Sequence, residues 1–156
     1  MTQYEELLEQ ANCANVTVLE EHDLTGTRLK GLYCDNFIAL SSELHTRTEK
    51  ACVLAEELGH YYTSTGDILD QSSVSNRKQE ARARLWGYKH MVTIEKLISA
   101  KRAGCRNSYE IAEHIGTTKE YFLEAIEKYK SIYGMCMQQE DYLVLFEPCF
   151  NILQIV

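Results

Sequence analysis

The sequence predicts an α+β domain, mainly helical, with a small antiparallel sheet and a C-terminal helical lobe. Three observations carry this. Short β-branched or alternating runs cluster between residues 16 and 40 and give way to long helical periodicities with no β-α-β alternation. The chain has 156 residues, 45% hydrophobic and 25% charged, an ordinary globular mixture for one domain over 1–156. A single proline, Pro148, and few glycines exclude low-complexity, collagenous and long linker sequence.

The first element is an amphipathic helix over Thr2 to Asn12. Tyr4, Leu7, Leu8 and Ala11 form an i, i+3, i+4, i+7 stripe, Glu5, Glu6 and Glu9 lie opposite, and Thr2 serves as cap. Next come Val16 to Leu19, Leu29 to Cys34 and Asn36 to Leu40, broken by Asp23, Gly26 and Asp35-Asn36. They read as antiparallel strands with a tight turn near Asp35. From Thr48 the period becomes helical: Ala51, Cys52, Leu54, Ala55, Leu58 and Gly59 give a nearly continuous apolar surface through Tyr62, so this helix is expected at the centre of the domain. A polar stretch from Asp70 to Asn76 leads into a second long helix, Ser75 to Ala100, packed by Trp86 and Tyr88. A loop at Gly104 to Asn107 opens the lobe (104–156). There Ser108 to Gly116 is helical, Thr117 or Thr118 caps a further helix to Tyr133, and Tyr142 to Phe146 reads as a strand.

Composition narrows the function. The start of the chain does not resemble a signal peptide and no apolar run approaches the roughly eighteen residues of a membrane span, so the expectation is a cytoplasmic protein. The six cysteines, Cys13, Cys34, Cys52, Cys105, Cys136 and Cys149, include no C-x-x-C pair and are expected as thiols. Net charge is -7, which opposes wholesale binding to phosphate backbones. The charge is uneven, because Arg77 to Arg102 holds eight Lys and Arg against Glu80 and Glu95, net +6, leaving -13 elsewhere. This segment is either a solvated helix face or a docking surface for an acidic partner or nucleic acid.

Chemistry concentrates in Ala55-Glu56-Glu57-Leu58-Gly59-His60. Glu56 and His60 are four apart and share a helix face, the relation that lets two side chains ligate one metal. Glu57 is rotated about 100° from Glu56, the offset at which the middle glutamate of an H-E-x-x-H helix acts as general base. These polar residues interrupt an apolar helix, and buried carboxylates are costly unless paired or metal-bound. Glu80, on the following helix, supplies a third ligand. The competing arrangement pairs Glu56 with Arg77 or Arg84 and holds no metal. Cys52, one turn before Glu56, shares its face, as either a ligand or a buried apolar thiol. His22, His45 and His114 have no partner spacing and read as surface residues; Tyr61, Tyr62, Tyr88 and His90 read as core or rim.

At these residues the sequence resembles the ImmA/IrrE family of metallopeptidases, particularly its small phage and prophage members. The likeness rests on Gly31-Leu32-Tyr33, Asp35 to Leu40, Leu54-Ala55-Glu56-Glu57-Leu58-Gly59-His60-Tyr61 and Gln79-Glu80-Ala81-Arg82-Ala83, and extends in looser form through Tyr109 to Gly134. It implies a zincin-like fold whose metallopeptidase core spans 1–103. It also implies a metal, zinc with manganese or iron as alternatives, on Glu56, His60 and Glu80, with Glu57 as catalytic base. The substrate it implies is a helix-turn-helix repressor, cleaved or otherwise inactivated. The departure is Glu56, where the usual pattern has His. A carboxylate there is a harder, charged donor, so the site is expected to discriminate less against manganese or iron and to turn over slowly.

Two other functions stay in view. One is an inactive relative that binds the same repressor or another regulatory protein. The other is a small DNA-binding regulator, because Ser108 to Ile126 has helix-turn-helix spacing. Glu120, Glu124 and Glu127 on its second helix would repel phosphate, so direct nucleic-acid binding is not expected.

Overall fold

The computed structural model describes residues 1–64 and 73–155; the polar stretch expected from Asp70 begins outside them. The chain divides into two compact units, Met1–Met91 and Val92–Val156, so the junction lies before the expected division at 103–104.

In the first unit, α1 (Gln3–Cys13) is preceded by Thr2, whose side chain accepts from the Glu5 N–H while Glu5 returns a bond to the Thr2 N–H. This reciprocal capping box satisfies two helix-end donors. Tyr4, Leu7 and Ala11 are its buried stripe, as the periodicity required. Strands β1 (Thr17–His22), β2 (Gly31–Cys34) and β3 (Phe37–Ser41) form a sheet ordered β1-β3-β2. Asp35 and Asn36, at φ 45° and 64°, make the tight turn between β2 and β3; two consecutive left-handed residues match the twist of a two-residue hairpin.

The expectation of an all-antiparallel sheet is corrected here. β2 and β3 are antiparallel, but β1 runs parallel to β3. The chain reverses once between β1 and β2 and again in the β2–β3 hairpin, so β1, paired on the far edge of β3, points the same way as β3. Ile38 and Leu40 of β3 are fully buried.

The central helix α2 (Arg47–Thr63) starts behind a second capping box, Thr46 with Glu49, and packs against α3 (Ser73–Met91). At Gly59 the two helices approach closely: a Cβ there would lie 2.8 Å from the Ala83 carbonyl carbon and 3.0 Å from its Cα. Leu54 and Leu58 of α2 and Met91 of α3 are fully buried.

The single helix expected to run to Ala100 is two helices. α3 ends at Met91, and α4 (Ile94–Arg102) begins afresh behind Thr93, whose side chain accepts from the Lys96 N–H. An extended Thr93, at φ -77° and ψ 155°, breaks the helical path although the apolar pattern continues through Val92. The second unit then contains α5 (Ser108–Ile115), α6 (Lys119–Tyr133) and an antiparallel sheet ordered β4-β5-β6, from Cys136–Gln139, Tyr142–Leu145 and Asn151–Gln154. Gly116 closes α5 in the left-handed region and Thr118, rather than Thr117, caps α6. The Tyr129 hydroxyl donates to the Val92 carbonyl at 2.7 Å. All six cysteines are thiols. Among the described residues no helix is long and apolar enough to cross a membrane.

Candidate metal centre

Helix α2 buries Ala51, Cys52, Leu54, Ala55, Leu58 and Gly59, and that burial fixes its rotation. Glu56 and His60, one turn apart, are then turned toward α3 at the partly open margin of the core. Glu80 comes from α3, and its Oε1 lies 3.3 Å from His60 Nε2. Ligand atoms of Glu56, His60 and Glu80 all lie within 4.8 Å of one another. The side chains are graded in exposure: His60 18%, Glu56 33% and Glu80 49%.

The donor set fits a divalent ion. A tetrahedral ion with ligand bonds of ~2.1 Å holds its ligand atoms roughly 3.4 Å apart, close to the His60–Glu80 separation. Two carboxylate oxygens balance a divalent charge, and a single imidazole with two oxygen donors suits zinc, manganese or iron.

Glu57 is the most enclosed polar group of the site, 8% exposed. Burial pushes its carboxyl up to about 8; the charges of Glu56 and Glu80 add to the shift, and the Tyr33 backbone N–H, donating to the carboxylate, opposes it. Strand β2 reaches it because residue 31 is glycine. A Cβ at Gly31 would stand 2.6 Å from Val53 Cγ1 and 3.0 Å from Glu57 Cγ and Oε1. All four predicted residues open into one cleft of about 680 Å³, which β2 walls on one side and α3 on the other.

Arg84 also lines this cleft. Its Nε sits 3.5 Å from Glu56 Oε1, so of the two arginines considered as partners for Glu56, Arg84 makes the contact. Burial works against its charge, but Glu56, then Tyr88 and Glu80, hold the guanidinium pKa above the ordinary arginine value. Glu56 is therefore both paired and within the cluster. Sequence reasoning placed Arg84 beside Glu56 only as the alternative to a metal; the structure has both the pairing and the ligand cluster, with Arg84 four residues after Glu80 on its face of α3.

Cys52 is buried and outside the ligand cluster, the apolar alternative. Tyr62 stacks on Trp86 and Trp86 on His90, with ring centroids 4.9 and 4.8 Å apart, and Tyr61 meets Tyr33 edge-on. His22, His45 and His114 are exposed. In the second unit α5, Gly116 and α6 reproduce the helix-turn-helix spacing, and Glu120, Glu124 and Glu127 are exposed on α6, the charge that disfavours a DNA backbone.

The family profile described as the IrrE N-terminal-like domain, a peptidase family, matches residues 11–127, a span that contains the whole cluster. No curated protein and no solved structure matches the chain significantly.

Proposed function

This chain belongs to the peptidase family of the IrrE N-terminal-like domain, and we propose that it is a metal-dependent endopeptidase whose metal, zinc or alternatively manganese or iron, is held by Glu56, His60 and Glu80. The observation that carries the reading is the convergence of these three donors in one cleft with Glu57 beside them. The metal, when bound, supplies Lewis acidity for amide hydrolysis. Glu57 is the general base: its carboxylate takes the proton of the attacking water and passes it to the departing amide nitrogen.

Strand β2 supports a polypeptide substrate. It pairs with β3 on one edge only, and its other edge, at Gly31 and Tyr33, faces Glu57. A strand edge with no neighbouring strand among the described residues can take up an extended peptide by main-chain hydrogen bonds, here through groups other than the Tyr33 N–H that Glu57 holds. The proposed substrate is a helix-turn-helix repressor of phage or prophage type, acted on in the cytoplasm. Support for that finer identity is the likeness to small phage and prophage members of the ImmA/IrrE family.

A second reading has its own observation. The Arg84 contact with Glu56 is what a metal-free relative would use to neutralise that carboxylate, leaving a protein that binds and sequesters the repressor. Metal content separates the two. Mass spectrometry of untagged protein is expected to find about one equivalent of metal, reduced in folded Glu56→Ala, His60→Ala and Glu80→Ala, with Glu57→Gln retaining metal but not cleaving. Wild type that takes up neither zinc nor manganese would sink the peptidase reading in favour of the sequestering one.

A further inference from the structure

We infer that Arg84 is a positioning residue for Glu56, placed beside it because a carboxylate stands where the usual metal-binding helix motif carries an imidazole. The inference rests on the metal-site reading above.

The chemistry of the partner is the first ground. A ligating imidazole carries a ring N–H on its far side and needs an acceptor there. A guanidinium, with donors only, cannot serve it. A ligating carboxylate has the opposite need, because its remaining lone pairs call for a donor, and Arg84 supplies one at Glu56 Oε1. The arginine thus matches glutamate at this position and mismatches histidine.

Geometry is the second ground. Glu80 and Arg84 are four apart on α3, so one helix face offers a metal ligand and, one turn on, a clamp for the ligand opposite. The clamp does not withdraw Glu56 from the site: with Arg84 against it, Glu56 still offers an atom within 4.8 Å of those of His60 and Glu80. Pairing and ligation are compatible in one side-chain arrangement. Glutamate has one more rotatable bond than histidine and is one-third exposed here, so holding it ready removes an ordering cost that an imidazole bears less.

A cation beside a cation site also repels the metal, and the magnitudes decide between the two effects. The Arg84 side chain is 56% exposed, so solvent screens its repulsion. Losing a hydrogen-bonding partner of a metal ligand costs about 10- to 100-fold in affinity. Positioning is the larger effect.

The test is a double-mutant cycle on the full chain read by metal affinity, not activity. Dissociation constants for zinc and for manganese would be measured by competition with a chromophoric chelator for wild type, Arg84→Met, Glu56→His and the double variant. Thermal unfolding of each chelator-treated protein would check folding, and Arg84→Lys would provide a milder second variant. Arg84→Met is expected to weaken binding about tenfold or more in wild type and to leave Glu56→His unchanged or tighter, with Arg84→Lys between. Equal weakening in both backgrounds would overturn the inference in favour of a general structural role, and tighter binding in the wild-type background would overturn it in favour of a competitor. A wild-type protein that binds no metal would instead remove the underlying metal-site reading, an outcome distinguishable from both.

Discussion

Replacing Gly59 by alanine tests the helix contact on which the whole site depends. A methyl group at this position would stand 2.8 Å from the Ala83 carbonyl carbon, 3.0 Å from its Cα and closer still to its oxygen. Carbon atoms in ordinary contact are ~3.5 Å apart or more, so α2 and α3 would have to separate by about 0.7 Å or more. The obstacle is backbone inside a packed helix, and no side-chain rotation relieves it. Overpacking of this kind costs about 1–3 kcal/mol, occasionally more, and the severity here places Gly59→Ala at the upper end. Against it stands the better helix propensity of alanine, worth about 1 kcal/mol. The net expectation is a loss of about 2 kcal/mol, or a fall in Tm of roughly 4–8 °C for a chain of this size. Because the shift moves Glu80 away from His60, metal affinity should fall with stability. Urea unfolding of chelator-treated protein and a metal titration measure the two effects. Gly59→Ala as stable as wild type, or more so, would show that propensity outweighs the clash and that the helices do not approach as described.

Two further substitutions probe the supports of the site. Gly31→Ala places a methyl group 2.6 Å from Val53 Cγ1; since a side chain is the obstacle, the expected loss is about 1–2 kcal/mol, and adding Val53→Ala should restore part of it, whereas a purely additive double variant in denaturant unfolding would contradict the contact. Glu49 accepts from the His45 and Thr46 N–H groups, and these bonds hold its carboxyl below the usual range; its stabilisation is therefore present above the unfolded glutamate pKa and lost as pH falls through the lower folded value. Glu49→Gln should accordingly cost about 0.5–1 kcal/mol near neutral pH, and its deficit relative to wild type should shrink at acid pH; a constant deficit across a pH series of unfolding curves would contradict the assignment.

What was legible in the sequence was mostly local. Thr2 with Glu5, and Thr46 with Glu49, write the starts of α1 and α2 into four-residue strings, and Asp35-Asn36 writes the hairpin. The direction of β1 was not legible because β1 pairs with β3 and not with β2, its neighbour in sequence, a long-range choice that alternation does not encode. The end of α3 was hidden for a different reason: Met91 and Val92 are both fully buried, so the apolar pattern runs straight through the break and only Thr93 signals a new cap. β4 and β6 are four-residue strands of mixed polarity, too short for periodicity to register. At the site, the Glu56–His60 relation follows from helical spacing alone. The reach of Glu80 does not, since it depends on Gly59 letting α3 approach. Spacing does not choose Arg84 over Arg77, because residues three before and four after Glu80 both share its face; the contact with Glu56 makes that choice.

The cost of this arrangement bears on its purpose. Glu56, Glu57 and Glu80 converge where α2 faces α3, and the backbone donor to Glu57 is the Tyr33 N–H. Enclosing a carboxylate so completely is unfavourable without a charge to balance it, and well-packed apolar residues at the same positions would hold the helices together better. Arg84 reaches Glu56, but its contact is long and half exposed, so solvent screens the charge it offers. One guanidinium at the rim does not balance Glu56 and Glu80 and also let Glu57, whose carboxyl burial pushes up to about 8, ionise. On the proposed reading a divalent cation held by Glu56 and Glu80 would supply that charge and leave Glu57 as base, and the glycine at 31 is what lets the edge of β2 approach the enclosed carboxyl. A scaffold selected only to hold α2 against α3 has no use for either feature, and that supports the proposed reading of the acidic centre and the strand edge beside it as parts of one peptide-hydrolysing site.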